Sequence, residues 1–146
     1  MKVVVDTNII FSGILNPKSP IAQVLTEYSL SVEFYSCTFL LEEIEKHFSR
    51  LSKFSGLTEI EIKEVLGILS RQIHFIDDNL IRPDDRQKAI LTLKDGDQND
   101  TPFVALAFML NSKLWTGDKK LINCLRKKRK DITISTPEIV NLLKNE

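Results

Sequence analysis

The chain opens with Val3-Val4-Val5, a continuous run of β-branched residues that is directly followed by Asp6-Thr7-Asn8. An apolar run without polar alternation is typical of a strand that is buried on both faces, as strands of parallel sheets are. Parallel strands need long crossover connections, which are usually helices. The opening run therefore predicts an α/β chain with a mostly parallel sheet.

The rest of the chain alternates in the way this prediction requires. Short apolar segments predict further strands at residues 33–36, 74–76, 114–115 and 132–134. Residues 7–18 are predicted to form a loop. Helical spacing and capping residues predict helices that begin near Ser19, Thr38, Thr58, Arg86, Asp100, Asp118 and Thr136. The first is expected to end at about Leu30, the second extends through Leu51, and residues 58–61 form a capping box. Because no repeat or low-complexity linker interrupts this pattern, residues 1–146 are predicted to form a single domain.

The composition excludes some classes of protein. Lys and Arg together number 20 and so do Asp and Glu, which gives no net charge, so any contact with nucleic acid must come from local patches. No segment approaches the roughly 20 apolar residues of a membrane-spanning helix. Cys37 and Cys124 form no CxxC motif, and no secretory signal is evident. We expect a cytoplasmic protein with reduced thiols and no membrane partner.

Four acidic residues are candidates for a site. Asp6 follows the first strand and Asp118 follows the predicted strand at 114–115, where open α/β sheets place their ligand crevice. Asp100 begins an apolar helix, and Glu43 lies in the helix after the second strand, so either could reach the same crevice. Taken singly, each acid also has a structural explanation in a turn, a helix start or a solvated helix face.

The segment Val3-Val4-Val5-Asp6-Thr7-Asn8 resembles the opening motif of PIN domains. Further segments follow in the family's order and at similar spacing: LEEI at 41–44, DTPFVALA at 100–107, WTGD at 115–118 and STPEIV at 135–140. The resemblance covers nearly the whole chain and extends to VapC-type toxin ribonucleases and related small prokaryotic PIN proteins. It implies a PIN-like three-layer α/β/α sandwich with a mostly parallel central sheet of four to five strands.

The resemblance also implies the site residues. The positions of the family's catalytic and metal-binding acids are taken by Asp6, Glu43, Asp100 and Asp118, and those of its polar supports by Asn8 and Thr116. Two assignments have neighbours as alternatives. Glu42 adjoins Glu43, and the irregular acidic segment before Asp100 offers Asp95, Asp97 and Asn99.

The clustered acids point to a particular chemistry. Phosphodiester hydrolysis needs an activated water and a stabilised leaving oxygen, and Mg²⁺ or Mn²⁺ held by carboxylates supplies both. A cation would also relieve the repulsion among packed carboxylates. Together with this chemistry, the resemblance to PIN domains implies a metal-dependent endoribonuclease that hydrolyses RNA. The family resemblance further implies a toxin–antitoxin pair, with an antitoxin protein as partner and homodimer formation.

Positive charge is concentrated after Asp118. Lys119 and Lys120 adjoin this acid, and the densest run comprises Arg126, Lys127, Lys128, Arg129 and Lys130. The run could bind RNA phosphates, which dominate nucleic-acid affinity, or it could be a solvated end of a helix.

Two other functions compete with the nuclease. A haloacid-dehalogenase-like phosphatase also places an Asp after its first strand, but it uses a second Asp two residues later, where this chain has Asn8. The other alternative is a catalytically inactive PIN-like module that binds RNA or protein. The presence of acids at all four positions argues against this alternative, because a binding module has little reason to keep four carboxylates that repel one another.

Overall fold

A computed structural model describes residues 1–146 and confirms the α/β architecture. Its single sheet contains five strands, all parallel, in the order β3-β2-β1-β4-β5. The strands are β1 (Lys2–Val5), β2 (Glu33–Cys37), β3 (Ile73–Ile76), β4 (Lys113–Trp115) and β5 (Thr133–Ile134).

Nine α-helices flank the sheet, and short 3₁₀ turns precede α6 and α7 at residues 78–80 and 98–100. The helices are α1 (Thr7–Leu15), α2 (Pro20–Thr26), α3 (Phe39–Lys46), α4 (Phe48–Ser55), α5 (Glu59–Leu69), α6 (Pro83–Thr92), α7 (Thr101–Leu110), α8 (Lys119–Lys127) and α9 (Thr136–Lys144). None of them combines the length and the apolar character that crossing a membrane would require.

Strand β1 lies at the centre of the sheet. Val3, Val4 and Val5 are fully buried, and Val4 is in register with Tyr35 of β2 on one side and Leu114 of β4 on the other. The chain builds β2 and β3 outward on one side of β1 and then returns to place β4 on the other side. The strand order therefore reverses between β1 and β4, which is where open α/β sheets form their ligand crevice.

The core is built around this central strand. Helix α7 is apolar on almost all sides and contacts β1, β2 and β4. Phe34 of β2 and Trp115 of β4 are buried with ring centroids 5.7 Å apart, and the Trp115 indole Nε1 donates to Thr136 Oγ1 at 3.0 Å. This bond fixes the start of α9 to the end of β4.

The largest error of the sequence prediction lies directly after β1. Residues 7–18 were expected to form a loop, whereas Thr7–Leu15 form α1. Its β-branched residues and Gly13 have modest helix propensity, but burial of Ile10 and Ile14 outweighs this local preference. Helices α1 and α5 also approach closely at Gly13, where a Cβ would lie 3.0 Å from Leu69 Cδ1.

Other boundaries differ from the predicted ones. The helix predicted from Thr38 through Leu51 is divided at His47 into α3 and α4. The helix that begins after Ser19 ends at Thr26, four residues before the predicted Leu30. The last helix is capped by Ser135, whose Oγ accepts from Glu138 N, because the Thr136 hydroxyl is bonded to Trp115 instead.

The predicted capping box at the start of α5 is present and gives a test of the fold. Thr58 Oγ1 accepts from Glu61 N at 3.2 Å, and Glu61 Oε1 accepts from Thr58 N at 3.1 Å. Thr58→Ala should lower the free energy of unfolding by about 1 kcal/mol in urea titrations, because helix-start N–H groups lose their acceptor. Thr26→Ala is the control, since the Thr26 hydroxyl bonds only to carbonyls of its own helix. Equal losses in the two variants would contradict the capping role.

Candidate active site

The four predicted acids line one pocket at the carboxyl ends of β1, β2 and β4. We call it the acidic pocket; it has a volume of about 120 Å³, and its lining residues are Asp6, Thr7, Asn8, Phe11, Glu43, Asp97, Asn99, Asp100, Phe103 and Asp118. Five of these residues carry carboxylates, and none is Lys, Arg or His. The fold thus brings together acids that are more than a hundred positions apart in the chain.

Asp6 and Asp118 are positioned by the helices that follow their strands. Asp6 caps α1, with Oδ1 accepting from Ile9 N at 3.1 Å. Asp118 caps α8, with Oδ1 accepting from Lys120 N at 2.9 Å and from Leu121 N at 3.3 Å. The structural explanation of each acid therefore holds, and it also fixes both carboxylates at the edge of the crevice.

Thr116 and Asn8, the predicted supports, lie beside these two acids. Thr116 is buried, and its Oγ1 accepts from Asp118 N at 3.1 Å. A hydrogen bond from the Thr116 side chain also stabilises the Asp6 carboxylate and opposes the rise in the pKa of Asp6. Asn8 is exposed and lines the pocket, while its backbone N–H favours the charged form of Asp6.

The geometry separates Glu43 from its neighbour Glu42. Glu43 is half-buried in the acidic pocket, and its Oε1 accepts from Thr7 Oγ1 at 2.6 Å. Glu42 is exposed and lies outside the pocket. The sequence analysis did not assign a role to Thr7, although its place in Asp6-Thr7-Asn8 was a signal that it belonged to the site.

Asp100 and Asp97 are both in the pocket, so here the structure does not exclude the alternative residue. Asp100 stands at the start of α7 without a capping bond, which leaves its carboxylate free to face the pocket. Asp97 Oδ1 accepts from Asn99 N at 2.9 Å, and Asn99 also lines the pocket. Asp95 lies outside it and is paired with Lys128, with 3.5 Å between Oδ2 and Nζ.

Crowding of these acids changes their protonation. Burial raises the pKa of Asp6 to about 6, and the negative charge of Asp118 adds to the rise. Burial also raises the pKa of Asp100 to about 7, assisted by Asp97 most strongly and then by Asp118, Asp6 and Glu43. The pocket is therefore a place where negative charge is costly without a cation.

The donor set fits a hard divalent cation. Carboxylate oxygens are the ligands that Mg²⁺ and Mn²⁺ prefer, whereas zinc sites usually contain His or Cys, and the pocket has neither. No three acidic, His or Cys side chains are close enough to hold an ion directly among them. Mg²⁺ commonly keeps several waters and takes only one or two carboxylates, so a looser acidic pocket is compatible with it.

A larger groove adjoins the acidic pocket and shares Asp97, Asp100 and Asp118 with it. This lysine groove has a volume of about 590 Å³, and its basic lining residues are Lys120, Lys127 and Lys128. The other predicted basic residues are not part of its lining: Lys119, Arg126, Arg129 and Lys130. The structure thus divides the basic run into residues that face the shared carboxylates and residues that do not.

The raised pKa values predict how stability depends on pH in the metal-free protein. A carboxyl group with a raised pKa binds more protons when folded, so the free energy of unfolding should fall as the pH rises from about 4 to about 7. Asp6→Asn should remove part of this fall, because Asn keeps the cap without the charge. In urea titrations without metal, the variant should match the wild type near pH 4 and be at least as stable at about pH 8.

The exposed residue Glu27 provides the control, since it lies outside the acidic pocket. Glu27→Gln should leave the pH dependence unchanged. A loss of stability in Asp6→Asn at every pH would mean that Asp6 is mainly a structural residue.

Two solved structures of VapBC proteins have a similar fold. VapBC2 from Rickettsia felis bound to a promoter DNA fragment has a TM-score of 0.71 and 17% identity, covering 92% of this chain and 98% of that chain. VapBC-1 from nontypeable Haemophilus influenzae has a TM-score of 0.68 and 18% identity, covering 94% and 99%. At this identity the similarity establishes the fold alone. No curated protein sequence matches the chain significantly.

A family model matches almost the whole chain. The model describes the PIN domain, and the match extends over residues 4–136, from the strand before Asp6 to the start of α9. It includes all five carboxylates of the acidic pocket, so the sequence motifs and the fold agree. The chain belongs to the PIN-domain family.

Proposed function

We propose that this protein is a metal-dependent endoribonuclease whose site is the acidic pocket. The observation that carries the proposal is the meeting of five carboxylates, without any basic residue, at the point where the strand order reverses. Asp6 is buried and Glu43, Asp100 and Asp118 are half-buried, so charging this cluster costs stability, and a bound cation would offset that cost. Membership of the PIN-domain family supports hydrolysis of phosphodiester bonds as the reaction.

The carboxylates of the pocket divide into those that follow strands β1, β2 and β4 and those that come from the turn before α7. Asp6 and Asp118 are fixed by backbone N–H groups, and Glu43 is fixed by the hydroxyl of Thr7. Asp97 and Asp100 come from the turn before α7 and face the same pocket from its other side. In the proposed enzyme, carboxylates of both groups would hold Mg²⁺ or Mn²⁺, in part through bound waters, and the ion would activate a water and stabilise the leaving oxygen.

The raised pKa values of Asp6 and Asp100 serve this role. At neutral pH a fraction of these carboxyl groups retains a proton in the metal-free protein. Because a metal ligand must be deprotonated, binding should release protons and should strengthen as the pH rises through this range. The carboxyl groups of the pocket would therefore change from partly protonated to fully ionised when the cation binds.

The proposal extends to biological partners. The similar structures are VapBC complexes from toxin–antitoxin systems, and we propose that this chain is the toxin component, with an antitoxin protein as its inhibitor. Homodimer formation and the single-domain organisation of residues 1–146 stay predictions from the sequence. An RNA substrate would be met in the cytoplasm, so that location is part of the same proposal.

The adjacent residues Glu43 and Glu42 give a matched test of the site. Glu43→Gln should reduce RNA cleavage in Mn²⁺ by about a hundredfold or more, because it weakens a carboxylate of the pocket. Glu42→Gln removes the same charge from the same helix, but outside the pocket, and should leave the rate nearly unchanged. The measurement is single-turnover cleavage of structured and unstructured RNA, with and without Mn²⁺.

The outcomes separate the alternatives. Equal activity of the two variants would remove Glu43 from the site. A wild-type protein that binds RNA and cleaves none in Mn²⁺ would support the inactive binding module. Thermal melting of both variants checks that the fold is retained.

The lysine groove gives a second matched test. Lys127→Gln/Lys128→Gln should weaken binding of all RNA sequences alike, because phosphate contacts carry no base information. The slope of log K against log salt should flatten by roughly 0.7 for each phosphate that the variant no longer binds. Arg126→Gln/Arg129→Gln removes two charges that lie outside the groove and should change affinity and slope less. Equal weakening of RNA binding in the two double variants would mean that the lysines of the groove contact phosphates no more than the arginines outside it.

A further inference from the structure

A small aromatic pocket lies on the side of the site formed by α1 and α4. It has a volume of about 80 Å³ and is lined by Phe11, Leu15, His47, Arg50, Leu51 and Phe54. Phe11 also lines the acidic pocket, so this one ring forms part of the wall of both. The aromatic pocket therefore adjoins the acidic pocket across the ring of Phe11.

The side chains of this pocket have an unusual combination of properties for a surface. Phe54 is 69% exposed although it is fully apolar. His47 packs edge-on against Phe11, with ring centroids 5.7 Å apart. The chain has two ion pairs, Arg82–Asp85 and Lys128–Asp95, and neither includes Arg50. Exposed aromatic surface and a free guanidinium thus stand beside a site proposed to cleave RNA.

We propose that the aromatic pocket is a nucleobase subsite that accepts an unpaired base next to the scissile phosphate of single-stranded RNA. Sequence-tolerant binding of single strands combines aromatic surfaces, on which bases stack, with cations that contact the backbone. Phe54 and Phe11 provide the first element, and Arg50 provides the second. This inference rests on the proposed function, since it takes RNA as the ligand of the acidic pocket.

The order of the three cavities supports a strand as the ligand. The aromatic pocket meets the acidic pocket at Phe11, and the acidic pocket meets the lysine groove at three shared carboxylates. Cations therefore lie on both sides of an acidic centre, Arg50 on one side and the groove lysines on the other. A single strand could follow this path with one phosphate at the carboxylates. A base held in a duplex would have no free face to stack on Phe54.

The direct test places an indole in the aromatic pocket. Phe54→Trp retains an aromatic ring, and the natural Trp115 is fully buried and serves as a constant background. Titration in Mn²⁺ with a twelve-nucleotide single-stranded RNA, in a Phe54→Trp protein that also carries Glu43→Gln to slow cleavage, should quench the new fluorescence. A base-free strand of equal length and a duplex of the same sequence should leave it unchanged. Tyr28→Trp is the control, because Tyr28 is 78% exposed and outside all three cavities.

Affinity gives an independent readout. Phe54→Ala should weaken binding of the single strand by about tenfold, and should weaken binding of the base-free strand little, because the substitution removes only stacking. Tyr28→Ala should bind both strands as the wild type does. Since Phe54 is exposed, thermal melting of Phe54→Ala should match that of the wild type.

The proposal is overturned if the duplex or the base-free strand quenches as strongly as the single strand. It is also overturned if Phe54→Ala and Tyr28→Ala bind the single-stranded RNA with equal affinity. The remaining candidate ligand of the aromatic pocket would then be a protein segment. Failure of the proposed function has a different signature. RNA would then quench the indole in Phe54→Trp while the wild-type protein cleaves no RNA in Mn²⁺.

Discussion

Burial of β1 on both faces is the constraint on which the rest of the structure depends. A strand of three valines cannot lie at an edge or face water, so β2 and β4 must pair with it and helices must cover it. Asp6 then emerges between the ends of its two neighbours. Because the strand order reverses beside β1, the acid that follows β4 is brought to the same place. The site is thus a consequence of where one apolar run must lie.

This arrangement costs stability, and the cost is specific to the metal-free state. Desolvation and mutual repulsion favour the protonated forms of Asp6 and Asp100, whereas the helix caps and Thr116 favour the charged form of Asp6. These influences leave the pKa of Asp6 at about 6 and that of Asp100 at about 7. Local instability of this kind is common at functional sites, where the surrounding fold keeps unfavourable groups in position.

The sequence predicted the parts of the molecule that depend on local pattern. The strands, the capping box at Thr58 and the family membership were all evident from short motifs. Helix α1 was missed because its stability comes from burial against α5, and its residues show no strong helical preference. The break at His47 was missed for a related reason, since neither Pro nor Gly marks it.

The candidate site was likewise predicted from the sequence only in part. The rule that parallel strands end at one edge predicted that Asp6 and Asp118 lie at the same edge of the sheet, whereas the pairing of β1 with β4 came from the structure. The resemblance favoured Glu43 over Glu42, and the contact with Thr7 and the pocket lining agree with that choice. The presence of Asp97 beside Asp100 needed the path of an irregular turn. The aromatic pocket is outside the reach of sequence reasoning, because Phe11 and Phe54 meet only through the packing of α1 on α4.

The double use of Asp6 and Asp118 as helix caps and pocket acids has a consequence for how such chains diverge. A copy that does not need the proposed activity would still need caps on α1 and α8, so replacements there should be drawn from Asn, Ser and Thr. Asp100 makes no capping bond, and Glu43 stands inside its helix, so both could drift to many residues. Degenerate relatives would then keep the outline of the motif at two positions after the pocket itself had disappeared.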